Sequence, residues 1–117
     1  MATLPIVHFQ TPAEKYRLIQ QAIINRCPIS ALYDGRARML CPHVLGSDKL
    51  GHPQALSYQF GGGSNSRPLG PDGSPENWRC LALEKLTNVQ NIDGKWHTAP
   101  NHSRPQTCVK VIDVEVV

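Results

Sequence analysis

Proline and glycine occur so often in this chain of 117 residues that only one stretch strongly predicts a helix of several turns. The chain contains 10 Pro and 9 Gly, but only 2 Trp, 3 Tyr and 2 Phe. Proline lacks a backbone donor and glycine weakens regular elements from within, so both divide a chain into short segments joined by turns. This profile disfavours a helical bundle and predicts a mainly β (α+β) protein. We expect a small barrel or a strongly bent antiparallel sheet of five to six strands, with one N-terminal α-helix.

The length allows one ordinary domain, since domains typically hold roughly 100–200 residues. We therefore expect a single domain over residues 1–117. No apolar run approaches the about 20 residues of a membrane-spanning helix. Residues 1–9 also lack the basic start and the long apolar segment of a secretory signal. These features predict a cytoplasmic protein with no membrane partner.

The clearest local signal is a helix start at Thr11. Its hydroxyl can cap the helix, Pro12 suits the first turn, and the Glu14 carboxylate can reach back to the Thr11 amide. Pro28 forbids continuation, because it lacks an amide hydrogen and disfavours helical geometry at the preceding residue. We expect one helix over about residues 12–26.

A hairpin is predicted over residues 29–40, where Asp34 and Gly35 separate two runs rich in apolar residues. Asp-Gly suits a type I′ turn, since both of its central residues need positive φ. A two-residue loop would place Tyr33 opposite Arg36 and would put Arg38 on the same face, with its guanidinium within reach of the Tyr33 ring. An exposed arginine that covers an aromatic ring explains this pair as well as a ligand site does.

The remaining elements are shorter. Residues 55–60 alternate as a strand, and residues 61–77 form a predicted flexible loop with five Gly and three Pro. Further strands are expected over residues 78–83 and, irregularly, 84–92. A polar loop over residues 98–107 then leads to a C-terminal strand over about residues 108–117, in which apolar and acidic residues alternate.

The four cysteines are widely spaced, at Cys27, Cys41, Cys80 and Cys108. Zinc ribbons and fingers use close pairs, because one tight turn must present two ligands to the same ion. No such pair occurs here, and a reducing compartment does not favour disulfides. We expect four reduced cysteines that pack as small apolar residues, with no metal site.

Charge and motifs argue against an enzyme. The formal net charge is +3, from 12 Lys and Arg against 9 Asp and Glu, which is mildly basic. No Gly-x-Ser-x-Gly or His-Glu-x-x-His motif is present, and the carboxylates are too scattered to suggest an acid–base pair. We expect no enzymatic activity and no cofactor.

Polar and aromatic side chains recur at the ends of the predicted strands, and the segments around them resemble the WYL domain family of bacterial transcription regulators and phage-defence proteins. The matching segments are residues 19–26 (IQQAIINR), 33–38 (YDGRAR), 40–46 (LCPHVLG), 56–59 (LSYQ), 62–64 (GGS) and 78–86 (WRCLALEKL). The naming Trp-Tyr-Leu tripeptide is absent, since residues 53–55 read PQA in its place. Ala82 and Lys85 stand where the later family motif has two arginines.

The resemblance implies a small SH3- or Sm-like barrel with a sensing role. In this family a pocket rich in arginine and aromatic residues binds nucleic acid or a nucleotide-like anion and signals to an attached effector. Guanidinium groups make two-point contacts with phosphate, and aromatic faces stack on bases. Since no effector segment is recognised here, we expect a partner protein or self-association. The implied ligand-binding residues are Tyr33, Arg36, Arg38, His43, Tyr58, Gln59, Ser64, Trp78 and Arg79.

Two alternatives stay open at this point. The first is a protein-interaction or scaffold module that self-associates or pairs through an exposed edge strand, with residues 112–117 as the candidate edge. The second is a metal-dependent hydrolase that uses Cys41, His43 and other histidines.

Overall fold

The structure is a computed structural model that describes residues 9–63, 68–100 and 108–116. Within these ranges one α-helix is followed by six strands and two short 3-10 turns. They are α1 (Pro12–Asn25), β1 (Ile29–Tyr33), β2 (Arg36–Ser47), β3 (Pro53–Gly62), a 3-10 turn (Pro75–Asn77), β4 (Trp78–Ala82), a 3-10 turn (Leu83–Lys85), β5 (Leu86–Asn91) and β6 (Val111–Glu115). Over the same ranges, no helix has the length and apolar character needed to cross a bilayer.

The capping box that the sequence indicates is present at the start of α1. The Glu14 amide donates to the Thr11 hydroxyl at 3.1 Å, and the Glu14 carboxylate accepts from the Thr11 amide at 3.5 Å. The helix ends at Arg26, which takes a left-handed conformation with φ of 49°. Its amide donates back to the Ala22 and Ile23 carbonyls, so the last turn is closed before Pro28.

The six strands form one antiparallel sheet in the order β4-β3-β2-β1-β5, with β6 also paired to β2. One edge of β2 pairs with β3, while its other edge pairs first with β1 and then with β6. In the described chain β4 and β5 do not pair, so the sheet stays open. The mainly β prediction with one N-terminal helix is confirmed in its bent-sheet form, and the closed-barrel form is wrong.

The hairpin has the predicted register, with Tyr33 opposite Arg36 and Ala31 opposite Arg38. Asp34 and Gly35 both have positive φ, at 51° and 75°, as a type I′ turn requires. These local signals therefore fix which residues of β1 and β2 share a face.

The second strand of the hairpin is longer than predicted, because β2 continues past residue 40 to Ser47. It does so through Pro42, which lies in the interval between the β1 and β6 pairings and beside a bulge. Proline is tolerated at such positions because the ladder is already interrupted there. The bulges also bend the sheet, since each adds an unpaired residue to one strand.

Three later elements also differ from their predicted bounds. Residues 61 and 62 belong to β3 and residues 75–77 form a 3-10 turn, so the loop between β3 and β4 is shorter than 61–77. The irregular strand predicted over 84–92 is a 3-10 turn followed by β5. The C-terminal strand covers Val111–Glu115.

Side chains are buried on both faces of the sheet. We call the face under α1 the helix face; its apolar cluster is Ile19, Ala22, Ile23, Ile29, Ala31, Leu40, Leu45, Ala55, Leu81, Leu83, Leu86 and Val89. We call the opposite face the aromatic face; its members are Cys41, Val44, Leu56, Tyr58, Phe60, Trp78, Trp96, Ala99 and Val109. Neighbouring residues of β3 and β4 alternate between the two faces, as strand geometry requires.

Cys80 and Cys108 are joined by a disulfide, with their Cα atoms 5.8 Å apart. The prediction of four reduced cysteines is therefore wrong for this pair, while Cys27 and Cys41 are free. The physical reason is a long-range contact: Val109 packs against Val44 and Leu56 on the aromatic face. This packing brings the chain leading into β6 alongside Cys80 of β4.

A buried lysine joins α1 to the turn between β4 and β5. Lys15 is 7% exposed, and its ammonium donates to the carbonyls of Leu83 and Leu86, each at 2.9 Å. Both bonds are charge-assisted, and such bonds are stronger than neutral ones.

Replacing Lys15 by methionine is expected to lower the free energy of unfolding by about 2 kcal/mol, because methionine keeps the packing and removes two charge-assisted hydrogen bonds. Urea unfolding followed by circular dichroism measures the change. The matched control is Lys49→Met at an exposed turn position, for which we expect no more than about 0.5 kcal/mol. Equal stabilities of the two variants would contradict a stabilising role for the two bonds.

Candidate ligand-binding site

The sheet separates the predicted ligand-binding residues onto its two faces. Tyr33, Arg38, Gln59 and Arg79 belong to the helix face, whereas His43, Tyr58 and Trp78 belong to the aromatic face. Arg36 is exposed beside the hairpin turn. Ser64 lies outside the described residues. The predicted set is therefore not one pocket.

Four polar residues form a row across β2, β3 and β4 on the helix face. Arg79 lies directly opposite Ser57, and Gln59 lies opposite Leu40, two residues along β2 from Arg38. We call Arg38, Ser57, Gln59 and Arg79 the arginine row. All four are buried, with the two arginines only 5% and 6% exposed.

Arg38 is positioned by Tyr33. Its guanidinium carbon lies 4.8 Å from the centroid of the Tyr33 ring, in the cation–π contact that the hairpin register predicted. The Tyr33 hydroxyl accepts a hydrogen bond at 3.4 Å from the amide of Ala82, at the far side of the bent sheet. The ring is thus held from both β1 and β4, so the cation above it has a defined place.

The charge of Arg38 is not balanced by an acidic side chain in the described part of the protein. Among these residues no carboxylate forms an ion pair with Arg38, and its buried Nε has no hydrogen-bond acceptor. Arginine stays protonated even when buried, and a buried charge without a partner is energetically unfavourable. Arg38 therefore gives the helix face a fixed positive charge with an unused donor.

Gln59 supplies the complementary group. Its amide nitrogen donates to the carbonyls of Gly61 at 3.0 Å and Gly63 at 2.8 Å. This pair of bonds fixes the orientation of the amide, because the reverse orientation would point oxygen at two carbonyls. The Gln59 Oε1 atom is buried and accepts no hydrogen bond from the described residues. The row thus offers an acceptor on the same face of the sheet as the Arg38 guanidinium.

Arg79 is oriented by the backbone at the start of β4. Its Nη1 donates to the carbonyls of Glu76 at 2.6 Å and of Trp78 at 3.1 Å. These bonds hold the guanidinium on the same face as Ser57, which sequence reasoning missed as a member of the site. The alternation of side chains along β3 could have identified Ser57, since Ser57 and Gln59 must share a face of the sheet.

On the aromatic face, His43 is fully buried and acts as part of the core. Its ring lies 4.7 Å from the Trp78 ring and 4.8 Å from the Trp96 ring, measured between centroids. Its two nitrogens are hydrogen-bonded to the Cys41 carbonyl at 2.7 Å and the Thr98 hydroxyl at 2.9 Å. His43 thereby holds the segment around Trp96 against the sheet.

Tyr58 and Asn77 fix the chain before β4. The Tyr58 hydroxyl donates to the Ser74 carbonyl at 2.9 Å and accepts from the Asn77 amide at 3.3 Å. Asn77 is buried, and its amide oxygen accepts from the Gly70 amide nitrogen at 2.8 Å. The phenol is therefore occupied in holding the loop.

The described ranges contain no group of three His, Cys, Asp or Glu side chains arranged to hold a metal ion. The Cys41 sulfur instead accepts a hydrogen bond from the His97 amide at 3.2 Å. Burial raises the pKa of the Cys41 thiol to about 11; the His97 bond lowers it, and the charge of Asp72 raises it further.

Cys41 is expected to resist alkylation in the folded protein, because at pH 8 only about a thousandth of a thiol with this pKa is thiolate. Iodoacetamide should modify the half-buried Cys27 at least about ten times faster. Peptide mass spectrometry of the quenched reaction measures both rates. Unfolding in guanidinium should remove the difference, and equal rates in the native protein would contradict the assigned burial.

A cavity of about 400 Å³ lies elsewhere, between α1 and the end of β5, lined in part by Gln10, Arg17 and Asn91. Gln10 is engaged there in two hydrogen bonds to the backbone of Val89. No member of the arginine row lines it. We place the candidate site at the row, because the unbalanced charge lies there.

Comparison of the chain with protein-family models, curated proteins and solved structures finds no match. The chemistry of the arginine row is therefore the basis for assigning a function.

Proposed function

We propose that this protein is a non-enzymatic ligand-sensing or regulatory module that binds nucleic acid or a nucleotide-like anion at the arginine row. The observation that carries the proposal is Arg38, a guanidinium that is 5% exposed, stacked on Tyr33 and without an acidic partner among the described residues. An anion at this place would supply the missing charge.

Phosphate suits the row because a guanidinium presents paired donors that match two phosphate oxygens. The second arginine, Arg79, lies two strands away on the same face and adds positive charge. Phosphate offers mainly acceptors, whereas the Gln59 oxygen needs a donor. A nucleotide carries hydroxyl and amino donors beside its phosphate and is therefore the better complement.

The resemblance to the WYL family supports the same ligand class, because the implied binding residues include Arg38, Gln59 and Arg79. In that family the binding module signals to an effector. The corresponding role here is to bind the ligand and act through a partner protein.

Arg38→Ala is expected to weaken binding of short single-stranded oligonucleotides and of nucleotides at least about tenfold at low salt. Arg38→Lys keeps the charge but loses the paired donors, so its affinity should be intermediate. Fluorescence anisotropy with labelled oligonucleotides, and competition by nucleotides, measures these affinities. Raising the salt concentration should weaken binding by the wild-type protein, because phosphate contacts release counterions.

The matched control is Arg17→Ala, which removes one exposed positive charge from α1 and leaves the row intact. Its affinity should stay within about twofold of wild type. Equal losses in the Arg38 and Arg17 variants would show that binding is diffuse attraction, and the proposed site would be wrong.

A further inference from the structure

Among the residues that the structure describes, β6 is paired along one edge only. The strand hydrogen-bonds to β2 along this edge, and no described strand pairs with the other, open side. Val111 and Ile112 at its start are 64% and 50% exposed. An exposed strand edge with apolar side chains is a template for another strand.

The edge is fixed in place before any partner arrives. The Val116 amide donates to the His43 carbonyl at 2.9 Å, and the Lys110 amide donates to the Ser47 carbonyl at 2.8 Å. The Tyr16 hydroxyl of α1 donates to the Asp113 carboxylate at 2.6 Å. A preformed edge lowers the entropic cost of association.

A groove of about 260 Å³ lies between α1 and the second half of β6. It is lined by Ile23, Ile24, Arg26, Val114, Glu115 and Val116. Ile24 is 58% exposed and adds apolar surface beside the groove. A strand added to the open edge of β6 would extend the sheet beside this groove.

The two ends of β6 complement each other when a second β6 runs antiparallel. Val111, which shares a face with Val114 in the pairing with β2, then meets the groove at the other end of the neighbouring strand. The basic end, at Lys110, meets the acidic end, at Glu115. Both contacts occur twice, because antiparallel pairing of identical strands is two-fold symmetric. Parallel pairing would instead set like charges side by side, which is unfavourable.

We infer that two copies of this chain associate through β6, edge to edge and antiparallel, into one continuous sheet. The two-fold axis of such a pair is perpendicular to the sheet, so both α1 helices lie on the same side. Ile24 of each copy then borders the added strand. This association uses none of the residues of the arginine row and is independent of ligand binding.

Sedimentation equilibrium of the full chain over a range of concentrations tests the inference. The wild-type protein is expected to be dimeric, and Val111→Lys is expected to weaken the dimer at least about tenfold, since it places a charge in the apolar contact. Val111 is mostly exposed, so this variant should fold, as circular dichroism will verify. The matched control is Phe9→Lys, at a site 83% exposed, and its dimer should be unchanged.

A charge exchange tests the antiparallel orientation. Lys110→Glu alone should weaken the dimer, because each acidic end then meets an acidic residue. The double variant Lys110→Glu with Glu115→Lys should restore it, because opposite charges meet again. A wild-type protein that stays monomeric at all concentrations overturns the inference. So does a dimer that responds equally to Val111→Lys and Phe9→Lys, or one that the charge exchange does not restore.

Discussion

Removal of the Cys80–Cys108 disulfide is expected to lower the free energy of unfolding by about 3–4 kcal/mol. The two cysteines are 28 residues apart, so their bond closes a long loop of the unfolded chain. Closing such a loop removes many conformations from the unfolded state and favours the folded one.

The folded state should change little without the bond. Val109, next to Cys108, is 3% exposed and packs with Val44 and Leu56, and β6 keeps its hydrogen bonds to β2. The loss of stability thus comes mainly from the unfolded chain. The circular dichroism spectrum and the edge of β6 should be preserved in the reduced protein.

Guanidinium unfolding of the double variant Cys80→Ser with Cys108→Ser measures the change, and replacing both residues avoids an unpaired thiol. Cys27→Ser is the control, since Cys27 is free and half-buried. Thiol titration of the unfolded wild-type protein without reductant should detect two free thiols. Detection of four would contradict the disulfide, as would equal midpoints for the oxidised and reduced wild-type protein.

The parts of the fold that the sequence predicts are those set by neighbouring residues. The capping box at Thr11 and Glu14 needs only the first turn of a helix, and the turn at Asp34 and Gly35 sets the hairpin register through its own φ angles. Because that register was right, the contact between Arg38 and Tyr33 could be predicted from the sequence.

The parts that sequence reasoning missed depend on contacts between distant segments. The extension of β2 through Pro42 becomes acceptable only because β1 and β6 leave an interval there. Whether the sheet closes depends on how β4 and β5 meet after the bulges have bent it. The Cys80–Cys108 bond depends on where β6 docks, which no local pattern specifies.

The predicted ligand-binding residues depend both on local sequence and on contacts between distant segments. Adjacent residues of a strand point to opposite faces, so Tyr58 and Gln59 could not line one pocket, and neither could Trp78 and Arg79. The alternation of side chains along each strand was enough to predict this separation. The separate roles of the two faces could not be predicted, because burial of the aromatic face depends on Trp96, which the distant chain after β5 contributes.

Gly62→Ala is expected to destabilise the protein by about 3–4 kcal/mol, for two reasons that act together. Gly62 has a φ of +86°, which side chains of L residues rarely adopt. An added Cβ would also overlap the Ala37 carbonyl oxygen and lie 2.8 Å from the Arg38 Cα. Both contacts are with backbone atoms of β2, which cannot turn aside as a flexible side chain would.

Gly51→Ala separates the two causes. Gly51 has the same φ of +86° in the turn between β2 and β3, but an added Cβ there meets no atom within 4 Å. Replacing Gly51 should lower the free energy of unfolding by about 1–2 kcal/mol, because only the strain of the positive φ contributes there. The difference between the two variants, about 2 kcal/mol, then measures the steric part at the end of β3.

The close approach of Gly62 to β2 also affects the geometry of the arginine row. Gly62 pairs with Arg38 in the ladder, and the Gly63 amide donates to the Ala37 carbonyl at 3.0 Å. Moving β3 away from β2 at this point would move Gln59 relative to the guanidinium, since the Gln59 amide is held by Gly61 and Gly63. Gly62→Ala should therefore weaken nucleotide binding at least about tenfold under conditions in which it is folded, while Gly51→Ala should not. Equal unfolding midpoints for the two variants would show that β2 and β3 separate there without cost, and would refute the close approach at Gly62.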